Sequence, residues 1–551
     1  MQTPQLTITG LLLLLAVSAT AQTPTFNYTL SMDEPSSHRY HVVFHCAGLG
    51  GPAVDLKMPA WMPGYYQLLD YAKNVQNFRA VGEKGKELGW EKTSPNTWRV
   101  ENPAGPGAAS VGTHRTGITV SYDVLAEKAF VAQPWLDSTR AYVAPAGVFF
   151  YVDGYIHQPV TVEVKPWPGW NKAAAGLAPK PAGHAPKAGL PGIATGHAPK
   201  AGLPEIATGL EPVAGRNNVY RAQDFDILFD SPMLIGNLED LKPFTVRGVP
   251  HYFSAYRPGQ FDGDSLMNDL KKIVQQGVDL IGDLPYTHYT FLAIGPGRGG
   301  IEHLNSSTIG FSGEALNKAG ERQRTLCFIA HEYFHHFNVK RIRPIALGPF
   351  DYDRENRTNM LWVSEGLTVY YEYMLVRRAG LMSGQDLLQH FQSDIAAYEN
   401  KTGHLYQSLA QSSYETWSDG PFGRTGDTVN KTISYYQKGP AVGLLLDMAI
   451  RHSTGNKKSL DDVMRVVYRI YYKQKGRGFT DAEFRSACET VAGVDLSELF
   501  DYVYTVHEPD YAKYLAYGGL GIDVTDKTWK IYPLQEVDEL QQKIRRDWMK
   551  E

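Results

Sequence analysis

The sequence predicts a multidomain α+β fold, in which an N-terminal β-sandwich is followed by a mostly helical domain. The chain has 551 residues, more than one hydrophobic core normally organises. Up to about residue 230, short runs of β-branched and aromatic residues are separated by Gly and Pro, as in strands. Farther on, Ser383 with Asp386 and Thr480 with Glu483 have the spacing of helix N-caps. We therefore expect sheets first and helices after them.

Residues 1–21 are predicted to be a cleavable signal peptide. Five consecutive leucines, Leu11 to Leu15, form an apolar core, and Ala19-Thr20-Ala21 has the A-x-A pattern of a cleavage site. The apolar run is shorter than the ~20 residues that a membrane-spanning helix needs, and no later stretch is suitable. We therefore expect an exported protein, periplasmic or extracellular, with no membrane anchor after the signal is removed.

Composition and charge narrow the class of protein. Hydrophobic residues make up 43% of the chain and charged residues 20%, as in ordinary globular proteins. A formal net charge of −4 gives no support to nucleic-acid binding, so no nucleic-acid partner is expected. The three cysteines are odd in number and scattered, which argues against a disulfide framework.

Residues 22–230 are predicted to form the N-terminal β-sandwich. The strands are predicted in the segments YHVVFHC, GITVSYDVL, AYVAPAGVFFYV and PVTVEVK. No long amphipathic helix competes with them. The aromatic segment PAWMPGYY, residues 59–66, is either part of this core or faces the following domain.

A tandem repeat lies inside this domain. The segment GHAPKAGLPGIAT begins at Gly183 and is followed at once by GHAPKAGLPEIAT from Gly196. Two copies are too few for a solenoid. His184 and His197 are not clustered with other metal-binding residue types. We interpret residues 172–210 as a flexible surface insertion.

The second domain, residues 231–515, contains the motif H-E-x-x-H at residues 331–335. On a helix, His331 and His335 lie on one face, with Glu332 one position round. This is the arrangement of zinc proteases, in which one helical turn supplies two nitrogen ligands and a general base. The motif therefore predicts a catalytic zinc site.

A catalytic zinc ion needs a third protein ligand, and Glu365 is the candidate. It follows an apolar run and precedes Gly366, which allows another backbone to approach closely. A carboxylate in that setting is costly unless it is paired or bound to metal. Glu372 lies seven residues farther on and on the same helical face. It is either a hydrogen-bond acceptor for a ligand imidazole or a solvated carboxylate.

Four segments resemble the glycyl aminopeptidase family of gluzincin zinc peptidases. They are LKMPAWMPGYYQLLDYAKNVQNFRA, HEYFHHFNVKRIRP, LWVSEGLTVYYE and ISYYQKGPAVGLLLDMAIR, in the family's order. The resemblance implies a thermolysin-like catalytic domain over residues 231–515 and one Zn²⁺ per chain, bound by His331, His335 and Glu365. It also implies an aminopeptidase that acts on peptides and favours a small first residue such as Gly or Ala.

The resemblance assigns two further residues. Related alanyl-type aminopeptidases carry a G-x-M-E-N segment whose Glu binds the free substrate amine, and Glu302 of GGIEH matches it. Ile301 and His303 replace the Met and the Asn. Tyr436 matches a tyrosine that donates a hydrogen bond to the oxyanion. The string GPGRGG before this segment is not followed by a helix pattern, which argues against a dinucleotide site.

Residues 516–551 are predicted to be a C-terminal tail too short for the PDZ domain with which the family usually ends. Two alternatives to the aminopeptidase stay open. One is a zinc endopeptidase on the same scaffold, if Glu302 does not face the substrate amine. The other is a non-catalytic peptide-binding protein. The sequence does not indicate the oligomeric state.

Overall fold

The structure is a computed structural model that describes residues 23–102, 117–175, 209–422 and 429–551. The predicted signal peptide and both repeat copies lie outside the described residues. A β-sheet domain comes first and a mostly helical domain follows, so the predicted fold class is confirmed. No helix within the described ranges has both the length and the apolar character needed to cross a bilayer.

The N-terminal domain is built from strands β1–β15 and one short helix. Their bounds are β1 (Thr25–Ser31), β2 (Arg39–Ala47), β3 (Ala53–Lys57), β4 (Val75–Val81), β5 (Trp90–Ser94), β6 (Thr97–Glu101), β7 (Gly117–Leu125), β8 (Trp135–Leu136), β9 (Arg140–Val143), β10 (Tyr151–Val152), β11 (Val160–Lys165), β12 (Lys172–Ala175), β13 (Glu211–Pro212), β14 (Val219–Ala222), α1 (Phe225–Phe229) and β15 (Met233–Gly236).

Three sheets share the core of this domain. The largest has the order β13-β14-β11-β1-β2-β7-β4, and two four-stranded sheets have the orders β10-β3-β6-β5 and β12-β15-β9-β8. Strand β7 alternates buried and half-buried residues along its length, as a strand with one face in the core must. Aromatic rings fill the space between the sheets: Tyr28 stacks on Phe44 at 4.1 Å, and Trp98 meets Phe150 edge-on at 4.8 Å.

The predicted domain boundary at residue 230 lies shortly before β15. This strand pairs antiparallel with β9 and with β12, so its backbone belongs to the N-terminal sheets. The second domain begins with a mixed sheet, whose strands are β16 (Glu239–Asp240), β17 (Phe244–Val246), β18 (Val249–Ala255), β19 (Tyr289–Ala293), β20 (Gly300–Glu302) and β21 (Ser306–Ile309).

This mixed sheet has the order β16-β18-β19-β21-β20, with β17 paired to β18. Strands β18, β19 and β21 are parallel, whereas β20 runs antiparallel to β21 at the edge of the sheet. Helix α2 (Gly263–Ile281) connects β18 to β19. It begins at the N-cap Asp262 and ends at Gly282, whose φ of 86° gives the left-handed C-terminal cap.

The rest of the chain is mostly helical. The elements are α3 (Ala319–Phe334), α4 (Leu367–Arg378), α5 (Gly384–Glu399), α6 (Leu409–Asp419), α7 (Tyr435–Ser453), α8 (Leu460–Val467), α9 (Asp481–Ala492), α10 (Ser497–Tyr504), α11 (Tyr511–Ala516), β22 (Leu520–Asp523), β23 (Lys530–Pro533) and α12 (Glu539–Met549). Ser383 and Thr480 form the predicted capping boxes of α5 and α9.

The C-terminal segment packs onto the helical domain. Strands β22 and β23 form a hairpin, and α12 follows it. Trp548 of α12 is fully buried, and its indole N–H donates to the Tyr370 hydroxyl at 3.1 Å. Residues 516–551 are therefore part of the folded second domain in this structure, because α12 completes its core.

The two domains meet at the aromatic segment 59–66, which faces the second domain. Trp61 is fully buried, and its indole N–H donates to the Asp351 carbonyl at 2.9 Å. Its ring packs edge-on against Phe350 and, at 4.9 Å, against Trp417. This packing brings the following residues, Gly64 to Gln67, to the wall of the cavity described below.

Candidate active site

Helix α3 and the turn after it bring the two histidines of the motif together. The helix ends at Phe334, and His335 continues the helical conformation as the C-cap residue. The two Nε2 atoms point at one place and lie 2.9 Å apart. Both residues are buried, with 7% exposure for His331 and 2% for His335.

Glu365 completes a three-residue cluster. It lies on a π-helical turn, Trp362–Gly366, directly before α4. The sequence gives no signal for this wider turn, a feature that often occurs at functional sites. Its Oε2 lies 3.5 Å from His331 Nε2 and 3.2 Å from His335 Nε2.

The cluster has the size of a zinc site. The ligand atoms of the three residues all lie within 4.8 Å of one another. Donor atoms about 2.0–2.1 Å from a tetrahedral zinc ion lie about 3.3 Å apart. The observed separations of 2.9, 3.2 and 3.5 Å bracket that value. Two imidazoles and one carboxylate are also the donor types that a catalytic zinc ion takes.

The outer side of each imidazole is held by a hydrogen bond. His331 Nδ1 donates to Glu372 Oε2 at 2.8 Å, so of the two alternatives for Glu372 the structure shows the hydrogen-bond acceptor. His335 Nδ1 donates to the Asn338 carbonyl at 2.7 Å, and the Asn338 amide donates to the Val363 carbonyl at 2.7 Å. These bonds leave each Nε2 free as a donor atom for a metal.

Burial and nearby charges shift the pKa values of Glu365 and Glu332 in opposite directions. Burial alone would raise the pKa of Glu365, but the His335 and His331 imidazoles hold it well below its ordinary value. Glu332 has no such bond. Burial raises the pKa of Glu332 to about 8 against the opposing effect of His331 and His335, and the negative charges of Glu302 and Glu365 add to the rise.

Strand β20 approaches Glu332 through a glycine. A Cβ atom on Gly300 would overlap the Glu332 carboxylate, so a larger residue at this contact would displace that side chain. The other oxygen of this carboxylate, Oε2, is buried and has no hydrogen-bond partner among the described residues. Glu332 therefore has a free acceptor beside the cluster that a reacting group can use.

Tyr436 reaches the cluster from α7. The hydroxyl of Ser434 caps this helix by accepting the Tyr436 backbone N–H at 3.2 Å. The Tyr436 phenol donates to Glu365 Oε2 at 2.9 Å. A Cβ on Gly366 would lie 2.7 Å from the Gly439 Cα, so two facing glycines let α7 approach the π-helical turn this closely.

Glu302 lies beside the cluster but behind the cavity wall. Its side chain is 3% exposed, and the wall at β20 is formed by Gly300 and Ile301. Gly64 of the N-terminal domain covers Glu302, because a Cβ there would lie 2.7 Å from Glu302 Oε2. Glu302 Oε1 is buried without a hydrogen-bond partner in the described part of the chain.

Tyr66 is a site residue that the sequence analysis did not single out. It is 6% exposed and lines the cavity. Burial raises its pKa well above the ordinary value, and the adjacent Glu365 carboxylate acts in the same direction. The aromatic segment around it was noted, but whether it belonged to the first core or faced the second domain was left open.

A cavity of about 550 Å³ opens over the cluster. His331, Glu332 and Tyr436 form its floor, and its walls are mostly aromatic and aliphatic. The walls come from both domains; they include Tyr65, Tyr66, Phe130, Val131, Ile301, Phe328, Val369, Tyr373 and Phe422. A largely apolar cleft with a few convergent polar groups is typical of a small-ligand site.

Two family models match the chain. The M61 glycyl aminopeptidase model matches residues 324–442, and the peptidase M61 N-terminal domain model matches residues 27–187. Together they span just over half of the chain. The first contains all three members of the cluster together with Glu332 and Tyr436. A search of curated proteins finds no match.

Solved structures resemble the whole chain in fold. An aminopeptidase N family protein from Idiomarina loihiensis superposes with a TM-score of 0.78 at 24% identity, covering 91% of this chain and 79% of that one. A mutant M1 zinc metallopeptidase from Deinococcus radiodurans, bound to a Tyr-Ser-Ala substrate, gives a TM-score of 0.50 at 13% identity. It covers 89% of this chain and 96% of that one. Similarity at these identities concerns the fold.

Proposed function

Because the chain belongs to the M61 glycyl aminopeptidase family of peptidases, we propose that it is a zinc-dependent aminopeptidase. It would hydrolyse the first peptide bond of peptides and favour a small first residue such as Gly or Ala. The observation that carries the proposal is the convergence of His331, His335 and Glu365 on one point beneath the cavity.

The proposed metal is one Zn²⁺ per chain, held by these three side chains. Bound zinc would lower the pKa of a water molecule and polarise the scissile carbonyl. The hydrogen bonds from His331 to Glu372 and from His335 to Asn338 support this role, because they orient both rings and make them better ligands.

Glu332 is the proposed general base. Its unpartnered Oε2 can take a proton from the attacking water and then pass it to the leaving amine. Burial raises the pKa of Glu332, which suits delivery of the proton to the leaving amine, whereas the positive charge of bound zinc would lower this pKa for the step in which Glu332 takes the proton. Tyr436 supplies a phenol O–H that can stabilise negative charge developing on the substrate carbonyl oxygen.

The metal and the activity can be tested together. Wild type purified without chelators should contain about one zinc ion per chain, measured by elemental analysis. Glu365→Ala should lose the metal and the cleavage of Gly- and Ala-peptides together. Glu536→Ala, in an exposed loop, serves as the matched control and should keep both. Full zinc occupancy in Glu365→Ala would contradict the ligand assignment.

A zinc endopeptidase is the second candidate, because Glu302 lies behind the cavity wall. An aminopeptidase must recognise a free ammonium group, and Glu302 is proposed to do so. Glu302→Ala should then lower kcat/KM for free-amine peptides by roughly 10²-fold, the scale of a buried charged pair. Cleavage of N-acetylated peptides should already be poor and fall much less. Equal losses on both substrates would favour the endopeptidase.

A further inference from the structure

Arg324 occupies a position in the cavity that the proposed chemistry does not use. It lies on α3, seven residues before His331, and it lines the cavity. Seven residues are close to two helical turns, so Arg324 and His331 lie on one face of α3 with their Cα atoms about 10.5 Å apart. Arg324 therefore lies on the cavity wall about two helical turns from His331, toward the start of α3.

Arg324 is the single Lys or Arg among the described residues that line this cavity. Within the described part of the chain it forms no ion pair and no side-chain hydrogen bond. The neighbouring Arg322 differs, because it pairs with Asp269 and Ser265. The guanidinium of Arg324 thus keeps its donors available, and a guanidinium binds a carboxylate through two parallel hydrogen bonds.

The surroundings of Arg324 do not neutralise it. The carboxylate of Glu372 is engaged by His331, and that of Asp386 by the capping box of α5. His390 stacks on Tyr373 with ring centroids 4.5 Å apart, and burial lowers its pKa. The adjacent wall is formed by Phe328, Val369 and Tyr373. Arg324 itself is exposed to solvent, so its guanidinium is accessible to an anionic ligand, and solvent partly screens their interaction.

The distance along α3 between His331 and Arg324 can be compared with the length of a bound peptide. One extended residue spans about 3.3–3.6 Å. A carboxylate one or two residues beyond the scissile carbonyl therefore lies roughly 4–8 Å from the metal cluster. An arginine side chain two turns along the helix can meet it there. The negative end of a short peptide can thus meet Arg324, while the proposed function assigns its ammonium end to Glu302.

On the premise of the proposed function, we propose that Arg324 selects peptides with a carboxylate one or two residues beyond the scissile bond. The ligand chemistry is a carboxylate, either the C-terminus of a di- or tripeptide or an acidic side chain at the residue after the cleaved bond. Arg324 acts on binding and selection, and the proton transfers remain with Glu332.

The test compares substrates that differ by this one charge, using the zinc-loaded full chain. Ala-Leu and Ala-Leu-Gly are each supplied as the free acid and as the C-terminal amide, and Ala-Glu-amide is compared with Ala-Gln-amide. Wild type should favour the charged member of at least one pair by about two- to fivefold in kcat/KM, the scale of an exposed ion pair, and mainly through KM. The pair that responds identifies the source of the carboxylate.

Arg324→Gln should bring the charged substrate down to the level of its neutral partner and leave the neutral partner unchanged. Arg324→Lys should keep part of the preference, and Lys318→Gln, an exposed charge change before the same helix, should keep all of it. Equal rates on every pair in wild type would overturn the proposal, as would equal losses on charged and neutral substrates in Arg324→Gln. Failure to cleave any of the six peptides would instead overturn the proposed aminopeptidase function, and this inference with it.

Discussion

The two sides of the cluster of His331, His335 and Glu365 are built in different ways. On the helical side, each imidazole has a hydrogen-bond partner behind it: Glu372 for His331 and Asn338 for His335. On the sheet side, two carboxylates are buried with one oxygen unpaired, and glycines lie against them. Gly300 contacts Glu332, and Gly64 contacts Glu302.

This difference separates the residues proposed to hold the metal ion from those proposed to transfer a proton or bind the substrate. Groups that hold a metal must keep one orientation, so their outer hydrogen bonds are satisfied. Groups that transfer a proton or bind a substrate need free acceptors, which are costly to bury. The glycines allow the backbone to cover these carboxylates closely without adding a side chain that would take up the space. Substitutions on the reacting side should therefore lower turnover, and those on the holding side should lower the affinity for zinc.

The largest effect is expected on the reacting side. Glu332→Gln should keep zinc but lower kcat by about 10²–10⁴, because the amide cannot take the proton of the attacking water. Zinc content and steady-state kinetics measure the two properties separately. Glu321→Gln, a half-buried carboxylate in the first turn of the same helix, is the control. Near-normal turnover in a zinc-loaded Glu332→Gln protein would contradict the assigned role.

Tyr436→Phe should lower kcat by about 10²–10³, the usual loss when one donor to a developing oxyanion is removed. KM should change less, because the phenol acts in the transition state. Tyr435→Phe is the matched comparison: its hydroxyl lies 3.1 Å from Thr416 rather than at Glu365, and its loss should be smaller. If both variants lost activity equally, the phenol of Tyr436 would have no special role.

Gly300→Ala tests the sheet side without changing any reacting group. The added Cβ would displace the Glu332 carboxylate, and a misplacement of about 1 Å can cost roughly 10² in rate. Zinc content should stay at the wild-type level. Gly320→Ala is the control, since a Cβ there meets nothing within 4 Å. Full activity in Gly300→Ala would show that the contact does not position Glu332.

The smallest effect on catalysis is expected from the holding side. Glu372→Gln should weaken zinc binding by about 10–100-fold, because His331 loses its charged acceptor. Activity at saturating zinc should stay closer to wild type than in the three variants above. Titration against a competing chelator measures the affinity. Unchanged zinc affinity would mean that Glu372 does not support His331.

Much of this site could be predicted from the sequence. His331 and His335 are four residues apart, and helical geometry places such residues on one face whatever surrounds the helix. Glu365 and Gly366 could be singled out because an acidic group after an apolar run needs a partner and a glycine permits close approach, whereas the sequence left open whether Glu372 accepts a hydrogen bond or is solvated. The capping boxes at Ser383 and Thr480 also depend on local spacing alone.

The remaining features depend on segments that are far apart in the chain. Tyr66 lines the cavity only because Trp61 packs against the second domain, and Glu302 lies behind the wall only because Gly64 covers it. In the sequence, nothing distinguishes Arg324 from an ordinary helix residue. In the folded protein it is the one permanent positive charge among the described residues that line the cavity. Local spacing thus determined that His331 and His335 share one helical face, whereas tertiary packing decided the contacts that shape the cavity, since no short-range geometry relates the residues that form them.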